Sequence, residues 1–141
     1  MSIFSELKTP GPTVIALTSP FWRAAGEGRL LIQRCEDCGE AVFYPRALCP
    51  HCWSKRLKWE EASGRGTLRS FSVVHKPGHP GWLPAVPYVV GLVHLDEGPT
   101  MTSFILADGE PRVGDPVALE PTDIGGRILP AFRVKPSSRS T

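Results

Sequence analysis

Hydrophobic and polar positions change their period several times along this chain, and the changes mark its elements. Residues 1–18 hold no sustained period and contain Pro10, Gly11 and Pro12. They predict an arm that is either disordered or packed on another element. A short helix is expected next, with Ser19 as N-cap, Pro20 at the first helical position and Gly28 as the stop. Phe21, Trp22, Ala24 and Ala25 give that helix an apolar side. Three short strands follow, at residues 30–34 (LLIQR), 41–44 (AVFY) and 57–61 (LKWEE), and SGRG at 63–66 reads as a turn or bulge. Residues 67–75 (TLRSFSVVH) alternate as a strand, with Leu68 and Val74 expected on one face and Phe71 and Val73 on the other.

Further strands are expected at 88–95, where Gly91 suggests a sharp bend, and at 100–106, 116–121 and 128–134. Five strands joined by turns fit a small closed barrel, for which a five-stranded Greek-key barrel of OB type is the standard arrangement. Residues 76–87 (KPGHPGWLPAVP) stand apart as a long connection stiffened by four prolines and carrying His79 and Trp82. Long ordered loops on a rigid scaffold are often functional, although a plain surface loop fits the pattern too.

Between the short strands lies the chain's distinctive chemistry, CEDCGEAVFYPRALCPHC, with Cys35/Cys38 and Cys49/Cys52 as two Cys-x-x-Cys pairs ten residues apart. A two-residue gap lets both sulfurs of one tight turn reach the same ion, and the second turn completes a tetrahedron. The metal expected is Zn2+. These are all four cysteines of the chain. A disulfide reading would need an export signal, and a redox dithiol would need a thioredoxin-type strand and helix; neither pattern is found. His51 lies inside the second turn, but four thiolates saturate the ion, so it reads as an exposed turn residue. A saturated zinc has no position for water or substrate, so a structural role is expected.

Composition narrows the class. A chain of 141 residues with 41% hydrophobic and 21% charged residues is ordinary for one globular unit, and 14 Gly with 15 Pro favour short strands over long helices. No apolar run approaches the roughly 18 residues of a membrane span. Residues 1–17 lack a basic region followed by an apolar one, so a cytoplasmic location is expected. The formal net charge of +2 falls to about zero once four thiolates and one Zn2+ are counted. The charge is unevenly placed: residues 23–76 hold ten Lys/Arg against six Asp/Glu, whereas residues 77–111 hold none against four. An anionic ligand is therefore expected to meet the ribbon and first barrel strand. The segments expected are an arm and short helix at 1–28, a ribbon at 29–58, a barrel at 59–136 and a disordered tail at 137–141.

FWRAAGEGRLLIQRCEDCG, FYPRALCPHC, WEEASGRGTLRSFSVVH, PYVVGLVHLDEGP and VGDPV, in that order, resemble the acyl-CoA-associated zinc-ribbon/OB-fold family, domain of unknown function 35. The likeness runs from about residue 19 to about residue 135. It implies a mainly β fold with an N-terminal helical segment, a rubredoxin-like zinc ribbon and an OB barrel. It also implies a non-catalytic subunit that accompanies thiolase-like or lipid-transfer-type aldolase and thiolase enzymes and helps dock or channel an acyl-CoA. Steroid side chains, aromatic acids, polyketide-like starters and isoprenoid precursors all occur as acyl groups among such relatives.

Coenzyme A carries a 3′-phosphate and a pyrophosphate, for which Arg and Lys are natural partners. Arg34, Arg46, Lys55, Arg56, Arg65 and Lys76 are the candidates, each also readable as an ordinary solvated charge. Trp82 and Tyr88 are candidates for stacking on adenine or lining a pantetheine channel, with His79 beside them in the loop. Two other classes compete. A single-strand nucleic-acid binder would use strands two and three of the barrel, but these contain no Lys or Arg. An enzyme acting on acyl-CoA through His75, His79 or His94 lacks a second residue paired with any of them.

Overall fold

The computed structural model describes residues 6–9 and 11–135. The expected tail at 137–141, and residues 1–5 and 10 of the expected arm, lie outside the described residues. Within the arm, Leu7 and Thr9 are buried. A side chain at Gly81 would strike the Lys8 carbonyl, and one at Gly125 would strike that of Leu7. This part of the arm is therefore packed.

Helix α1 spans Ser19–Gly26, and Thr18, not Ser19, occupies its N-cap position. The Thr18 hydroxyl turns back to accept from the Ile15 N–H at 3.2 Å and makes no capping bond to the helix. Pro20 sits in the first turn as expected, and the chain leaves the helix through Gly28 at φ +82°. That left-handed value is one that glycine adopts without steric cost.

In the ribbon, β1 (Leu31–Cys35) is the central strand, flanked antiparallel by β2 (Ala41–Val42) and β3 (Leu57–Glu61). β2 ends two residues before its expected end at 44. The barrel begins with β4 (Arg65–Val74) and continues with β5 (Tyr88–Leu95), β6 (Thr100–Leu106), β7 (Pro116–Leu119) and β10 (Ala131–Val134). It closes in the order β10-β6-β5-β4-β7. β10 runs parallel to β6, and the other barrel pairs are antiparallel. The fold is mainly β, with a closed five-stranded barrel of OB type.

Three further sequence expectations need correction. The register between β4 and β5 shifts between Leu68 and Ser70, so strict alternation fails there. The bulge returns Phe71 to the same side as Leu68: Leu68 pairs with Val93, Phe71 pairs with Gly91, and both side chains join the core. The strand expected at 128–134 is divided at Pro130 into β9 (Arg127–Leu129), paired with β8 (Thr122–Ile124) in a hairpin, and β10. Proline has no N–H for a ladder, and the Gly125/Gly126 turn at φ +64° and +91° closes the hairpin. The long connection at 76–87 contains a 3-10 helix, Pro80–Ala85, which the four prolines concealed.

One core cluster joins the parts. Leu68, Val93, Leu95, Met101, Ile105, Val117 and Phe132 line the barrel interior, and Phe21 of α1 with Leu30 and Ile32 of the ribbon close it from one side. Gly91 is required by this packing, because a Cβ there would lie 2.8 Å from the Ser70 carbonyl and 2.9 Å from Leu68 Cδ1.

Candidate functional site

The two knuckles are built alike. In the first, the Gly39 N–H donates to the Cys35 carbonyl at 2.9 Å; in the second, the Trp53 N–H donates to the Cys49 carbonyl at 2.8 Å. Gly39 and Trp53 both have positive φ, +80° and +67°. These turns bring the four Sγ atoms within 4.8 Å of one another, with Cys35···Cys52 at 3.5 Å and Cys38···Cys49 at 3.6 Å. A tetrahedron with Zn–S bonds of about 2.3 Å has sulfur–sulfur edges of about 3.8 Å, so the set fits zinc.

Electrostatics agree. The Cys38 backbone N–H, at 3.4 Å from Cys35 Sγ, chiefly draws the Cys35 thiol down to about 6. The Ser54 N–H lowers the Cys52 thiol, but burial and the three neighbouring sulfurs outweigh it and push Cys52 up to about 12. Four crowded thiols cannot all ionise without a cation among them, and Zn2+ reverses that balance. The His51 N–H donates to Cys49 Sγ at 3.3 Å, so His51 contributes its backbone to the second knuckle. The site is a structural zinc centre.

Side chains around the sulfurs hold the turns. Gln33, buried on β1, accepts from the Arg46 N–H at 2.7 Å and donates to the Arg46 carbonyl at 3.0 Å, pinning the segment that leads to the second knuckle. Sequence reasoning passed over Gln33, because a lone glutamine in a strand carries no signal. Arg34 forms a bidentate pair with Glu60 at 3.0 Å and donates to the Gly39 carbonyl at 2.7 Å. Arg56 pairs with Asp37 at 2.5 Å, and the same carboxylate accepts from the Ser54 hydroxyl. Two of the six basic candidates thus brace the metal end.

Arg65 approaches Asp96 only to 3.9 Å, and Lys55 and Lys76 are exposed. His79 caps the 3-10 helix, its Nδ1 accepting from the Gly81 N–H at 2.9 Å. His94 Nδ1 lies 3.5 Å from the Thr100 hydroxyl, and His75 is exposed on the chain just after β4. Trp82 and Tyr88 are brought together, with ring centroids 5.1 Å apart, and Trp82 stacks on Phe104 at 4.9 Å and 28°.

Phe104 also borders a groove of 450 Å³ lined by Phe21 and Trp22 of α1, Phe43 and Tyr44 beyond β2, residues 100–104 of β6, and Leu129 and Pro130. No charged residue lines it. This volume lies in the range of small-molecule sites, which are commonly apolar clefts at junctions between structural units. The groove escaped sequence reasoning because its aromatic walls come from elements far apart in the chain. The outer face of the barrel continues the same chemistry. Outward positions on β5 and β6 are Tyr88, Val90, Leu92, His94, Thr100, Thr102, Phe104 and Leu106, without Lys, Arg, Asp or Glu. Leu92 is 39% exposed at its centre.

Family models match in the same two parts. Residues 22–58 match the ChsH2 rubredoxin-like zinc ribbon domain, and residues 59–120 match the ChsH2 C-terminal OB-fold domain. A probable enoyl-CoA hydratase alpha subunit of Thermomonospora curvata is 35% identical over 127 residues, covering 88% of this chain and 39% of that protein. A DUF35 domain-containing scaffold protein of Pyrococcus furiosus is 35% identical over 95 residues, covering 67% of this chain and 68% of its own length. Thus the chain spans well under half of the first relative. Among solved structures, a chain of the Ltp2-ChsH2(DUF35) aldolase matches with a TM-score of 0.78 and 34% identity, over 88% of this chain and 98% of that one.

Proposed function

Because the chain belongs to the ChsH2-type zinc-ribbon/OB-fold family, DUF35, we propose that it is a non-catalytic accessory subunit that docks a thiolase-like or lipid-transfer-type aldolase and helps position its acyl-CoA. The observation that carries this reading is the uncharged β5–β6 face with the apolar groove beside it. A strand that must grip a phosphodiester backbone presents Lys and Arg; the outward positions of β5 and β6 hold neither, Arg69 of β4 meeting the face at the Thr100 hydroxyl at 3.4 Å, and such a face is suited to burial against protein. Contiguous exposed apolar surface of this kind marks interaction sites.

Within that reading the zinc holds the ribbon rigid and takes no part in chemistry. The groove under α1 and the Trp82–Tyr88–Phe104 cluster accommodate the uncharged pantetheine and acyl portions. Lys55, Arg65 and Lys76 meet the phosphates, since Arg34 and Arg56 are already engaged with carboxylates. No helix among the described residues is long and apolar enough to cross a membrane, and the complex works in the cytoplasm.

Co-expression with the thiolase- or aldolase-type enzyme encoded beside it, followed by size-exclusion chromatography with and without acyl-CoA, tests the proposal. Co-elution, with turnover only when both chains are present, is the expected result. Separate elution, together with oligonucleotide binding that falls steeply with salt, would replace it with a nucleic-acid reading.

A further inference from the structure

The second zinc knuckle carries a residue that its own fold does not ask for. Both knuckles need a left-handed residue after their second cysteine, and the first supplies Gly39. The second supplies Trp53, the one non-glycine residue at positive φ among the described residues. A bulky side chain in that conformation is strained, because its Cβ crowds the following carbonyl. Packing offsets little of that strain, because Trp53 is 75% exposed. With Arg46, Ala47, Leu48, Cys49 and Pro50 it borders an open hollow of 450 Å³ that shares no residue with the groove under α1.

We infer that Trp53 and Arg46 form a second protein-docking surface, which receives a carboxylate beside an apolar side chain on the partner enzyme. Charge supports that occupant: residues 41–59 hold four Lys/Arg and no Asp or Glu, and no carboxylate lines the hollow. Arg46 makes no ion pair among the described residues. The Cys49 sulfur beneath is buried and accepts the His51 N–H. Trp and Arg are the residues most enriched at interface hot spots, and an open hollow with one aromatic wall suits a protein surface better than a small ligand needing enclosure.

This inference rests on the accessory-subunit reading, and the test separates the two. Affinity for the co-purified partner enzyme is measured by titration calorimetry for the wild-type chain, Trp53→Gly and Arg46→Glu, with zinc content and Tm recorded for each. Glycine accepts the backbone conformation, so Trp53→Gly is expected to keep its zinc and its Tm while binding about tenfold or more weakly, as hot-spot losses do. Arg46→Glu is expected to weaken binding to a similar degree. A wild-type complex whose affinity shifts by less than about twofold in both variants would overturn this surface, leaving the accessory role intact. Saturable quenching of the isolated chain by adenosine 3′,5′-bisphosphate, lost in Trp53→Gly, would overturn it in favour of a nucleotide site. Failure of the wild-type chain to bind the enzyme at all would remove both readings.

Discussion

Eleven buried side chains meet in the cluster that fills the barrel, whereas the hydrophobic cluster at the metal end of the ribbon comprises Cys35, Val42 and Cys49, with Leu57 against them. Two of those three are ligands. The barrel can exclude water from a continuous apolar interior, which supplies the main driving force of folding. The knuckles have no such interior, so their ordering has to come from metal coordination. The ribbon sheet mediates between these regimes: Ile32 of β1 points into the barrel cluster, while Cys35, three residues on, points to the sulfurs. One strand thus ties a metal-ordered surface to a hydrophobically ordered one.

Removing the metal separates the two regions most sharply. Cys49→Ser, or chelation of the wild-type chain, is expected to withdraw on the order of 10 kcal/mol from the ribbon, the scale of structural zinc binding. Loss of zinc and of amide protection across residues 35–57, with protection retained in β4–β6, is the expected hydrogen-exchange result. Uniform loss across both would show that the barrel depends on the metal too. The converse change is Phe132→Ala, at a residue with no exposed surface. It should cost about 3–5 kcal/mol through lost burial and the cavity left behind, lowering the urea midpoint while the unfolded fraction remains the only pool that releases zinc.

The smallest effect expected is electrostatic. Arg34 holds the Glu60 carboxyl below its ordinary value of 4.5, chiefly by their hydrogen bonds. A carboxylate depressed in the folded state contributes stability that is fully present above the unfolded value and is lost as pH falls through the folded one. For a pair this accessible the contribution is about 1 kcal/mol or less. Arg34→Ala should therefore lower Tm slightly at pH 7, and the gap between variant and wild type should close as pH falls from 4.5 through the depressed folded value of Glu60. A gap unchanged at low pH would assign the role of Arg34 to its bond with the Gly39 carbonyl alone.

The zinc centre was legible because its chemistry is local: each pair of sulfurs is set by one tight turn, and Cys-x-x-Cys spacing is a property of the turn itself. Strand positions were legible for the same reason, through alternation along β5 and β6. What escaped was set by distant partners. A single extra residue at Arg69 reverses which side Phe71 faces, and nothing in TLRSFSVVH announces it. Pro130, which has no N–H for a ladder, divides the last strand, and the half before it pairs with β8 instead of joining the barrel. The groove assembles Phe21, Phe43 and Phe104 from a helix, a ribbon exit and a barrel strand, so no window of sequence contains it. Of the basic residues proposed for coenzyme A, Arg34 and Arg56 are equivalent to Lys55 in sequence and differ from it through the positions of Glu60 and Asp37 in the fold.

The central claim is that the uncharged β5–β6 face is covered by the partner enzyme. Its most direct measurement is the affinity of that enzyme for Leu92→Asp compared with wild type. Leu92 points outward, so the variant should fold and melt as wild type does, while a charge buried without a partner should weaken the complex by about tenfold or more. An unchanged affinity, with the complex otherwise intact, would contradict the claim and move the interface elsewhere.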